Sequence, residues 1–496
     1  MRILLVNPPV PEIDIRAPEV ATTAGLMPPM GLLSLASYLN ECDRDDISLL
    51  DLQFSADPDG DLRAAVSSFA PDVAGVTCCL FTFTGAYRVV RVLKAAAPEI
   101  FTVVGGHHVS VYPEETAALP GVDAAVFGEG ELTMEELLCG VERGDGAAGL
   151  AGVAARGPGG EVIKGPARER IRNLDDLPHI DRALAGRDIY NWVLDRGRRS
   201  AILFAGRGCP FRCSFCFNVM RVSRFHSPEY VVEEMRRCVS EGYEVLNFYD
   251  ETFNQGRIRT MELVDAITSA GLDVPWTFRG RCDVMDEEIA HALAAAGCVR
   301  INFGIEAGTE ETLKTYRKQI DLEMIRRAVH AADRAGIEAV GYFILGAPHE
   351  TEEQCRATID LACELPLDSA QFMILIPLPG TEIYRRALDE GGFENDYLRQ
   401  WAADPRTPLQ LQLWNTGIAE KKLVGLMRTA YSRFYLRPGF LLRQLMKLTS
   451  WKDFKVRFSA GMQIMKYSFL KKKRASGSGS MTLPQNPVLP ECNSQR

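Results

Sequence analysis

Short apolar runs alternate with amphipathic segments along the first part of the chain. The opening MRILLVNPP and the later segments Ile47–Asp51, Val73–Cys78, Phe101–Gly106 and Asp123–Phe127 are apolar runs of strand length. The segments between them, such as LLSLASYLNE and AYRVVRVLKAA, carry apolar residues at the spacing of one helix face. This alternation predicts a doubly wound, Rossmann-like α/β domain over residues 1–145, whose ligands bind at the carboxyl ends of the strands.

The same alternation returns further along the chain. Six apolar runs predict strands at Ala201–Phe204, Val245–Tyr249, Trp276–Arg279, Ile301–Gly304, Ala339–Leu345 and Ser369–Leu375. Six βα units are too few for a closed eight-stranded barrel, so we expect a partial (β/α)6 barrel over residues 196–390. Residues 146–195 are rich in Gly, Ala, Arg and Asp, which predicts a hairpin and an extended connector between the two domains.

The pattern changes beyond residue 390. Residues 391–474 have a helical and aromatic pattern, which predicts a C-terminal helical domain, and residues 420–474 contain 15 Lys or Arg against Glu420 and Asp453. This basic region predicts peripheral contact with an acidic membrane, or with an anionic carrier or substrate, and a solvated helix face is the alternative. The tail 475–496, with SGSGS and scattered prolines, is expected to be disordered.

Composition narrows the class of protein. The chain has 496 residues, 46% of them hydrophobic, which is ordinary for a globular protein of more than one domain. No apolar run reaches the roughly 18 residues that span a bilayer, and the N-terminus lacks a signal-peptide pattern. Thirteen cysteines fit a reducing compartment, so we expect a cytoplasmic protein. The net charge of −9 argues against a nucleic-acid partner.

Three cysteines form the most informative motif of the chain. Cys209, Cys213 and Cys216 lie in GRGCPFRCSFCFN at the spacing C-x3-C-x2-C, directly after a predicted strand. Three thiolates so close together can bind three corners of a cubane iron–sulfur cluster, which leaves one iron free for a small molecule. A structural zinc ion would need a fourth Cys or His, and no CxxC or HxxxH follows.

This motif, with Phe215 just before the last cysteine, resembles the signature of the radical S-adenosylmethionine (SAM) superfamily. The resemblance implies that Cys209, Cys213 and Cys216 bind a [4Fe–4S] cluster, and that SAM chelates the fourth iron. An electron from the cluster then cleaves SAM into methionine and a 5′-deoxyadenosyl radical. It also implies that Phe215 packs beside the adenine, where the alternative is an ordinary loop aromatic.

Further residues at the barrel mouth follow from the same resemblance. Asp250 and Glu251 end the second predicted barrel strand and resemble the element that contacts the amino group of SAM, with a helix cap as the alternative. Arg281, after the third strand, can pair with the carboxylate of SAM because guanidinium binds planar anions, although a surface salt bridge is equally compatible. Glu306, after the fourth strand, resembles the residue near the ribose hydroxyls.

Glycines and prolines punctuate the carboxyl ends of the N-terminal strands. From spacing alone, they serve either the close approach of a bulky cofactor or simple turns. The motifs NPP, P-x-G-L, GG and GEGE resemble the cobalamin-binding domain that precedes many radical SAM barrels. The resemblance implies cobalamin contacts from Pro29, Gly31, Thr77, Gly105, Gly106, His107, Gly128 and Glu129. None of the seven histidines has an Asp two residues before it, so we do not expect a D-x-H-x-x-G cobalt ligand.

Taken together, the motifs favour a cobalamin-dependent radical SAM methyltransferase. Its substrate would be a small molecule with an unactivated carbon, and an external donor such as flavodoxin or ferredoxin would supply electrons. The similar family also contains cyclases and ring-rearranging enzymes that use cobalamin, and these stay open as alternatives. A non-catalytic cobalamin or iron–sulfur sensor is a third hypothesis.

Overall fold

The structure is a computed structural model. It describes residues 1–9, 27–44, 46–185, 190, 195, 198–218, 220–414 and 417–447. The basic segment 448–474 and the tail 475–496 lie outside the described residues, so the predictions made for them stay predictions.

The N-terminal domain is built on a seven-stranded sheet. Its strands are β1 (Ile3–Asn7), β2 (Ile47–Asp51), β3 (Val73–Thr77), β4 (Phe101–Gly105), β5 (Ala124–Val126), β6 (Val153–Arg156) and β7 (Val162–Lys164). Its helices are α1 (Met30–Glu41), α2 (Pro58–Phe69), α3 (Phe83–Ala96), α4 (Pro113–Ala118) and α5 (Glu131–Arg143). The strand order is β2-β1-β3-β4-β5-β6-β7, parallel through β5 and antiparallel afterwards.

This order defines where the domain can bind a ligand. The direction of winding reverses between β1 and β3, which is where doubly wound sheets bind their ligands. β1 and β3 are buried along most of their length, as strands covered on both faces must be. The hairpin predicted at the start of the connector is present as β6 and β7, and it extends this sheet.

The second sheet is the predicted partial barrel. Its strands are β8 (Ser200–Leu203), β11 (Val245–Phe248), β12 (Trp276–Gly280), β13 (Cys298–Glu306), β14 (Glu338–Leu345) and β15 (Ser369–Ile374), and all neighbours are parallel. The helices are α6 (Pro228–Ser240), α7 (Arg257–Ala270), α8 (Glu287–Ala295), α9 (Glu310–Thr315), α10 (Leu322–Arg334), α11 (Glu352–Glu364) and α12 (Glu382–Asp389). The sheet is open between β8 and β15.

Two features of the barrel domain were not predicted. β9 (Gly206–Arg207) and β10 (Arg224–Phe225) form a short antiparallel ribbon on either side of the three cysteines. β13 begins three residues earlier than expected because Arg300, a polar residue that hides the strand signal, is buried inside the barrel against Asp195.

The C-terminal helices are α13 (Tyr397–Ala403), α14 (Glu420–Tyr435) and α15 (Pro438–Met446). Helix α14 packs against the edge strand β15 of the barrel, whereas α13 packs against α4 of the first domain. The hydroxyl of Tyr431 bonds to the backbone of Phe372, and that of Tyr435 bonds to the backbone of Ala370. These bonds satisfy backbone groups of the edge strand β15, which would otherwise stay exposed. None of the helices in the described part of the chain is long and apolar enough to cross a membrane.

Candidate active site

The loop with the three cysteines begins just after the carboxyl end of β8, at the mouth of the barrel. Cys209 and Cys213 are half-buried, Cys216 is exposed, and all three are free thiols. Gly208 has φ +90°, and an added Cβ there would lie 2.5 Å from the carbonyl oxygen of Val222. Glycine is therefore required before Cys209, because both the left-handed backbone and the close neighbour exclude a side chain.

Neighbouring elements hold this loop at both ends. Ser214 donates its backbone N–H to the carbonyl of Tyr316 at 2.9 Å and its hydroxyl to the carbonyl of Thr315 at 2.8 Å. The backbone N–H of Cys209 donates to the carbonyl of Met220 at 2.9 Å. The thiol positions are thus set by backbone bonds rather than by the cysteines themselves, as a preorganised ligand set requires.

A buried ion pair lies beside the cysteines. Lys318 Nζ is 2.7 Å from Glu306 Oε1, and both side chains are only 8% exposed. Glu306 has φ +71°, which is rare for a residue with a side chain, and a register shift in β13 redirects it. Gly304 makes room for the pair, because a Cβ there would lie within 2.7 Å of both charged atoms.

The electrostatic effect of this pair reaches the thiols. Burial raises the pKa of the Cys213 thiol, whereas Lys318 and Arg281 act in the opposite direction. Burial alone would lower the pKa of Lys318, but Glu306 and Cys213 raise it, so the ammonium stays charged. Two cations behind the loop therefore favour the thiolate, which is the form that binds iron. Sequence reasoning missed Lys318 because nothing in its residue type separates it from the exposed Lys314 and Arg317.

The predicted SAM residues have different environments. Phe215 is half-buried and packs edge-on to Tyr316, with ring centroids 5.1 Å apart. Asp250 is buried and accepts the backbone N–H of Ala205 with both carboxylate oxygens. Burial raises the pKa of Asp250 to about 7. Glu251 is exposed, and its carboxylate accepts the N–H of Gly208 at 3.2 Å.

The two arginines near the end of β12 differ sharply. Arg281 is 3% exposed, pairs with Asp283, donates to the carbonyl of Lys318 at 2.8 Å and stacks on Phe211. The predicted surface salt bridge is thus a buried one. Arg279 is half-buried, lies over the ring of Tyr249 at 3.5 Å, and has no carboxylate partner in the described part of the chain. Arg279 lines a small pocket inside the barrel, together with Asn247, Thr277, Arg300 and Asn302.

The predicted cobalamin residues meet at the carboxyl edge of the N-terminal sheet. Pro29 and Gly31 lie at the start of α1, Thr77 and Gly105 end β3 and β4, and the other predicted residues follow β4 and β5. Gly106 has φ +112°, and a Cβ there would lie 2.3 Å from the carbonyl oxygen of Cys78, so a tight backbone approach requires this glycine. Gly128, at φ +82°, and Gly31 have open space around them. A ligand can therefore approach the backbone closely at Gly31 and Gly128.

The two adjacent histidines lie on opposite sides of the loop after β4. His107 is exposed, and its ring is 6.4 Å from that of Phe217, the residue after Cys216. His108 is 2% exposed, stacks on Phe83 at 3.7 Å and contacts Trp401 of α13. Neither ring nitrogen of His108 has a hydrogen-bond partner among the described residues, and burial lowers its pKa to about 3.

Ion pairs join the GEGE turn of the first domain to the cluster loop of the second. Glu129 contacts Arg207 at 3.0 Å and Arg224 at 2.8 Å, and Glu131 contacts Arg207 at 2.7 Å. These side chains are 7–21% exposed, and Ser34 donates to Glu131 at 2.9 Å. The Glu129 carboxylate is thus directed toward the ribbon that flanks the three cysteines. This bridge was not predicted, because the GEGE motif indicated only a contact with cobalamin.

The three cysteines do not form a site for a single metal ion. No group of three or more His, Cys, Asp or Glu side chains within the described ranges is arranged to bind one ion. A cubane cluster makes a different demand because each thiolate binds its own iron. Three free thiols on an anchored loop, next to two cations, fit such a cluster.

The fold and the site define a class of protein. A doubly wound domain is ion-paired, through the turn after its β5, to a partial barrel with three cysteines at its mouth. Models of known families agree, because the B12 binding domain matches residues 18–138 and the radical SAM superfamily matches residues 203–362. The chain belongs to the family of cobalamin-dependent radical SAM enzymes. The family, the fold and the three cofactors predicted from the sequence are thereby confirmed.

Individual relatives place this result in context. The chain is 34% identical over 456 residues to an uncharacterized methyltransferase of Pyrococcus horikoshii, covering 90% of this chain and 95% of that one. It is 29% identical to the anaerobic magnesium-protoporphyrin IX monomethyl ester cyclase of Rubrivivax gelatinosus, over 75% and 68% of the two chains. The radical SAM methyltransferase TsrM of Kitasatospora setae, solved with cobalamin and a [4Fe–4S] cluster, shares the fold with a TM-score of 0.73 at 19% identity, over 94% and 99% of the chains.

Proposed function

We propose that this protein is a cobalamin-dependent radical SAM methyltransferase that methylates an unactivated carbon of a small molecule. The observation that carries the proposal is the bridge from Glu129 and Glu131 to Arg207, which brings the three-cysteine loop to the carboxyl edge of the N-terminal sheet. When bound there, the cluster and SAM supply a hydrogen-abstracting radical, and the corrin supplies a methyl group. An unactivated carbon needs both, because it cannot attack the methyl group of SAM by a polar route.

The chain's own residues have separate tasks in this proposal. Cys209, Cys213 and Cys216 bind the cluster, and Lys318 and Arg281 oppose the rise in the pKa of the Cys213 thiol that burial causes. An external donor such as flavodoxin or ferredoxin delivers the electron to the exposed side of the loop, where Cys216 lies.

SAM is held at the carboxyl ends of the barrel strands. Phe215 would pack beside the adenine, and Glu251 would contact the amino group. Glu306, whose Oε1 is paired with Lys318, would lie near the ribose hydroxyls through its other carboxylate oxygen. Asp250 acts as a positioning residue, because its carboxylate is buried against the backbone N–H of Ala205. Arg281 is committed to Asp283, so we assign the anion-binding role to Arg279, which meets a carboxylate of SAM or of the substrate.

The corrin lies on the edge formed by the loops of the first domain. Pro29, Gly31 and Thr77 contact it from the loops near α1 and β3, and Gly105, Gly106, His107 and Gly128 contact it from the loops after β4 and β5. Glu129 is a positioning residue in this arrangement, because its carboxylate pairs with Arg207 and Arg224. The 34% identity to an uncharacterized methyltransferase over nearly the whole chain supports methyl transfer as the reaction.

The test uses the full chain, reconstituted without oxygen with iron, sulfide and cobalamin. The protein is incubated with a reductant, methyl-deuterated SAM and a small-molecule extract. We expect 5′-deoxyadenosine, S-adenosylhomocysteine and a product that carries the deuterated methyl group. Cys213→Ala should abolish 5′-deoxyadenosine, whereas Cys42→Ala, at a half-buried cysteine after α1, should retain it.

Two other outcomes identify the alternatives. The 29% identity to a cyclase favours cyclisation as the second candidate. Formation of 5′-deoxyadenosine with a product that lacks deuterium would replace methyl transfer by cyclisation or rearrangement. A reconstituted protein that binds both cofactors but never forms 5′-deoxyadenosine would instead be a sensor.

A further inference from the structure

The interior of the barrel is polar along three neighbouring strands. Each strand contributes two polar side chains, and these are Asn247 and Tyr249 at the end of β11, Thr277 and Arg279 from β12, and Arg300 and Asn302 from β13. Because alternate residues of a strand point to the same face, the six side chains form two layers. In the register of the sheet, Thr277 lies between Asn247 and Arg300, and Arg279 lies beside Asn302. Barrel interiors are usually filled by Val, Ile and Leu, so these polar layers indicate a binding site.

The lower layer is a closed floor. The buried carboxylate of Asp195 accepts from the side chain of Asn247 at 2.7 Å and pairs with Arg300 at 2.6 Å. The hydroxyl of Thr277 donates to the side-chain oxygen of Asn247 at 2.6 Å. The charges of Asp195 and Arg300 balance each other, so this layer is complete without a ligand.

The upper layer has two polar groups that lack partners. Arg279 is half-buried and has no carboxylate partner in the described part of the chain, and its guanidinium lies over the ring of Tyr249 at 3.5 Å. Stacking on a ring uses the face of a guanidinium and leaves its N–H edge free for a planar anion. Asn302 is 7% exposed and donates to the carbonyl of Phe278 at 3.1 Å, but its buried Oδ1 has no hydrogen-bond partner within the described ranges. This layer therefore lacks an anion and a hydrogen-bond donor, and a buried acceptor without a donor is destabilising.

The upper layer also lies below the mouth of the barrel. Strand β13 continues from Asn302 to Glu306, a rise of about 13 Å along the strand. Arg279 does not extend toward the mouth, because its guanidinium lies over Tyr249, which is at the same height in the sheet. SAM that chelates the open iron of the cluster through its amino and carboxylate groups keeps both groups at the cysteine loop. The free edge of Arg279 is then available to the substrate.

We infer that the substrate enters the barrel with a carboxylate that carries a hydroxyl or amino group on the adjacent carbon. The carboxylate accepts two hydrogen bonds from the free edge of Arg279, which is the geometry that guanidinium favours. The neighbouring O–H or N–H donates to Oδ1 of Asn302, on the adjoining strand about 4.8 Å away. This inference rests on the proposed function and adds the substrate class, a hydroxy acid or amino acid whose remaining part lies toward the mouth.

The test measures binding of small probes to the reconstituted full chain by saturation-transfer NMR, without reductant. The probes are lactate, the uncharged analogue lactamide, and propionate, which lacks the hydroxyl. We expect lactate to bind, lactamide to bind about tenfold more weakly, and propionate to bind about fivefold more weakly. An excess of SAM should not displace lactate. No turnover is needed, so these results can fail while methyl transfer is confirmed, and they can succeed where methyl transfer fails.

Variants assign the binding to Arg279. Arg279→Gln should bind lactate about tenfold more weakly or worse, and Arg279→Lys should lie between it and the native protein, because an ammonium keeps the charge without the paired hydrogen bonds. The matched control is Arg236→Gln, at an exposed arginine on α6, and it should bind lactate as the native protein does. Iron and sulfide content at the native level verifies that each variant folds. With reductant and SAM but no substrate, Arg279→Gln should form 5′-deoxyadenosine at the native rate.

Three results would overturn the inference. The first is a native protein that binds no lactate, or binds lactate and lactamide equally. The second is an Arg279→Gln variant that retains native affinity for lactate. The third is displacement of lactate by SAM, together with loss of 5′-deoxyadenosine in an Arg279→Gln variant of native cluster content; Arg279 would then bind the carboxylate of SAM.

Discussion

Replacing Lys318 by Met tests whether the buried pair supports both the barrel and the cluster. At 2.7 Å and an effective dielectric constant of about 20, the attraction to Glu306 is about 6 kcal/mol. Desolvation of the two charges offsets part of this attraction. Removing one partner leaves a buried, unpaired carboxylate, so we expect K318M to destabilise the barrel by about 3–5 kcal/mol.

The double variant K318M/E306Q separates the pair from its surroundings. It removes both charges, so its stability should return to within about 1.5 kcal/mol of the native value. Cluster content should not recover, because the cation that favours the thiolate of Cys213 is still absent. Stability is measured by hydrogen exchange of β13 peptides in a denaturant series, and cluster content by iron and sulfide analysis after anaerobic reconstitution.

Lys314→Met is the matched control, since this lysine is exposed in the same segment. It should leave both measurements unchanged. The reasoning is refuted if the coupling between K318M and E306Q is below about 0.5 kcal/mol, or if K318M assembles as much cluster as the native protein.

Three further predictions follow from the site. Burial lowers the pKa of His108 from 6.5 to about 3, so the folded protein loses stability as pH falls between these two values. Between pH 7 and pH 5 the native protein should lose about 2 kcal/mol, and His108→Phe should not show this loss. Denaturant unfolding at each pH measures the difference. Asp250 has a pH dependence of the opposite sign: its folded-state pKa is raised to about 7, so stability is lost as pH rises from about 4 through 7. Asp250→Asn should remove about 3 kcal/mol of the loss between pH 5 and pH 8, and equal pH slopes for the two proteins would contradict this. Glu129→Gln breaks two partly buried ion pairs and should destabilise the domain contact by about 2–3 kcal/mol, seen as faster hydrogen exchange of residues 206–225, whereas unchanged exchange would argue against the bridge.

Much of the fold was predictable because its signals are local. Most parallel strands of both sheets are short apolar runs, and buried strands need no long-range information to show this pattern. The cysteine spacing is equally local, since thirteen residues hold all three thiols. The two-residue ribbon of β9 and β10 is too short to leave such a pattern.

The roles of individual charges could not be predicted in this way. Arg279 and Arg281 are two residues apart, but β12 ends at Gly280, so the alternation that fixes the direction of Arg279 no longer applies to Arg281. The backbone N–H of Arg281 donates to the side-chain oxygen of Asn254 at 2.9 Å, and the guanidinium of Arg281 stacks on Phe211. Both contacts come from distant parts of the chain.

The sequence by itself predicted the two domains, the three cysteines as candidate ligands of the cluster and the sheet edge as a candidate site for the corrin, because each prediction depends on residues close together in the chain. Only the tertiary structure decided that Glu129 pairs with Arg207, that Lys318 lies behind the cysteines, and that the leucines of α15 face outward. The physical reason is that the role of a charged or apolar side chain depends on the residue that it contacts in the folded protein. That partner is set by how whole elements pack, and residue type does not encode it.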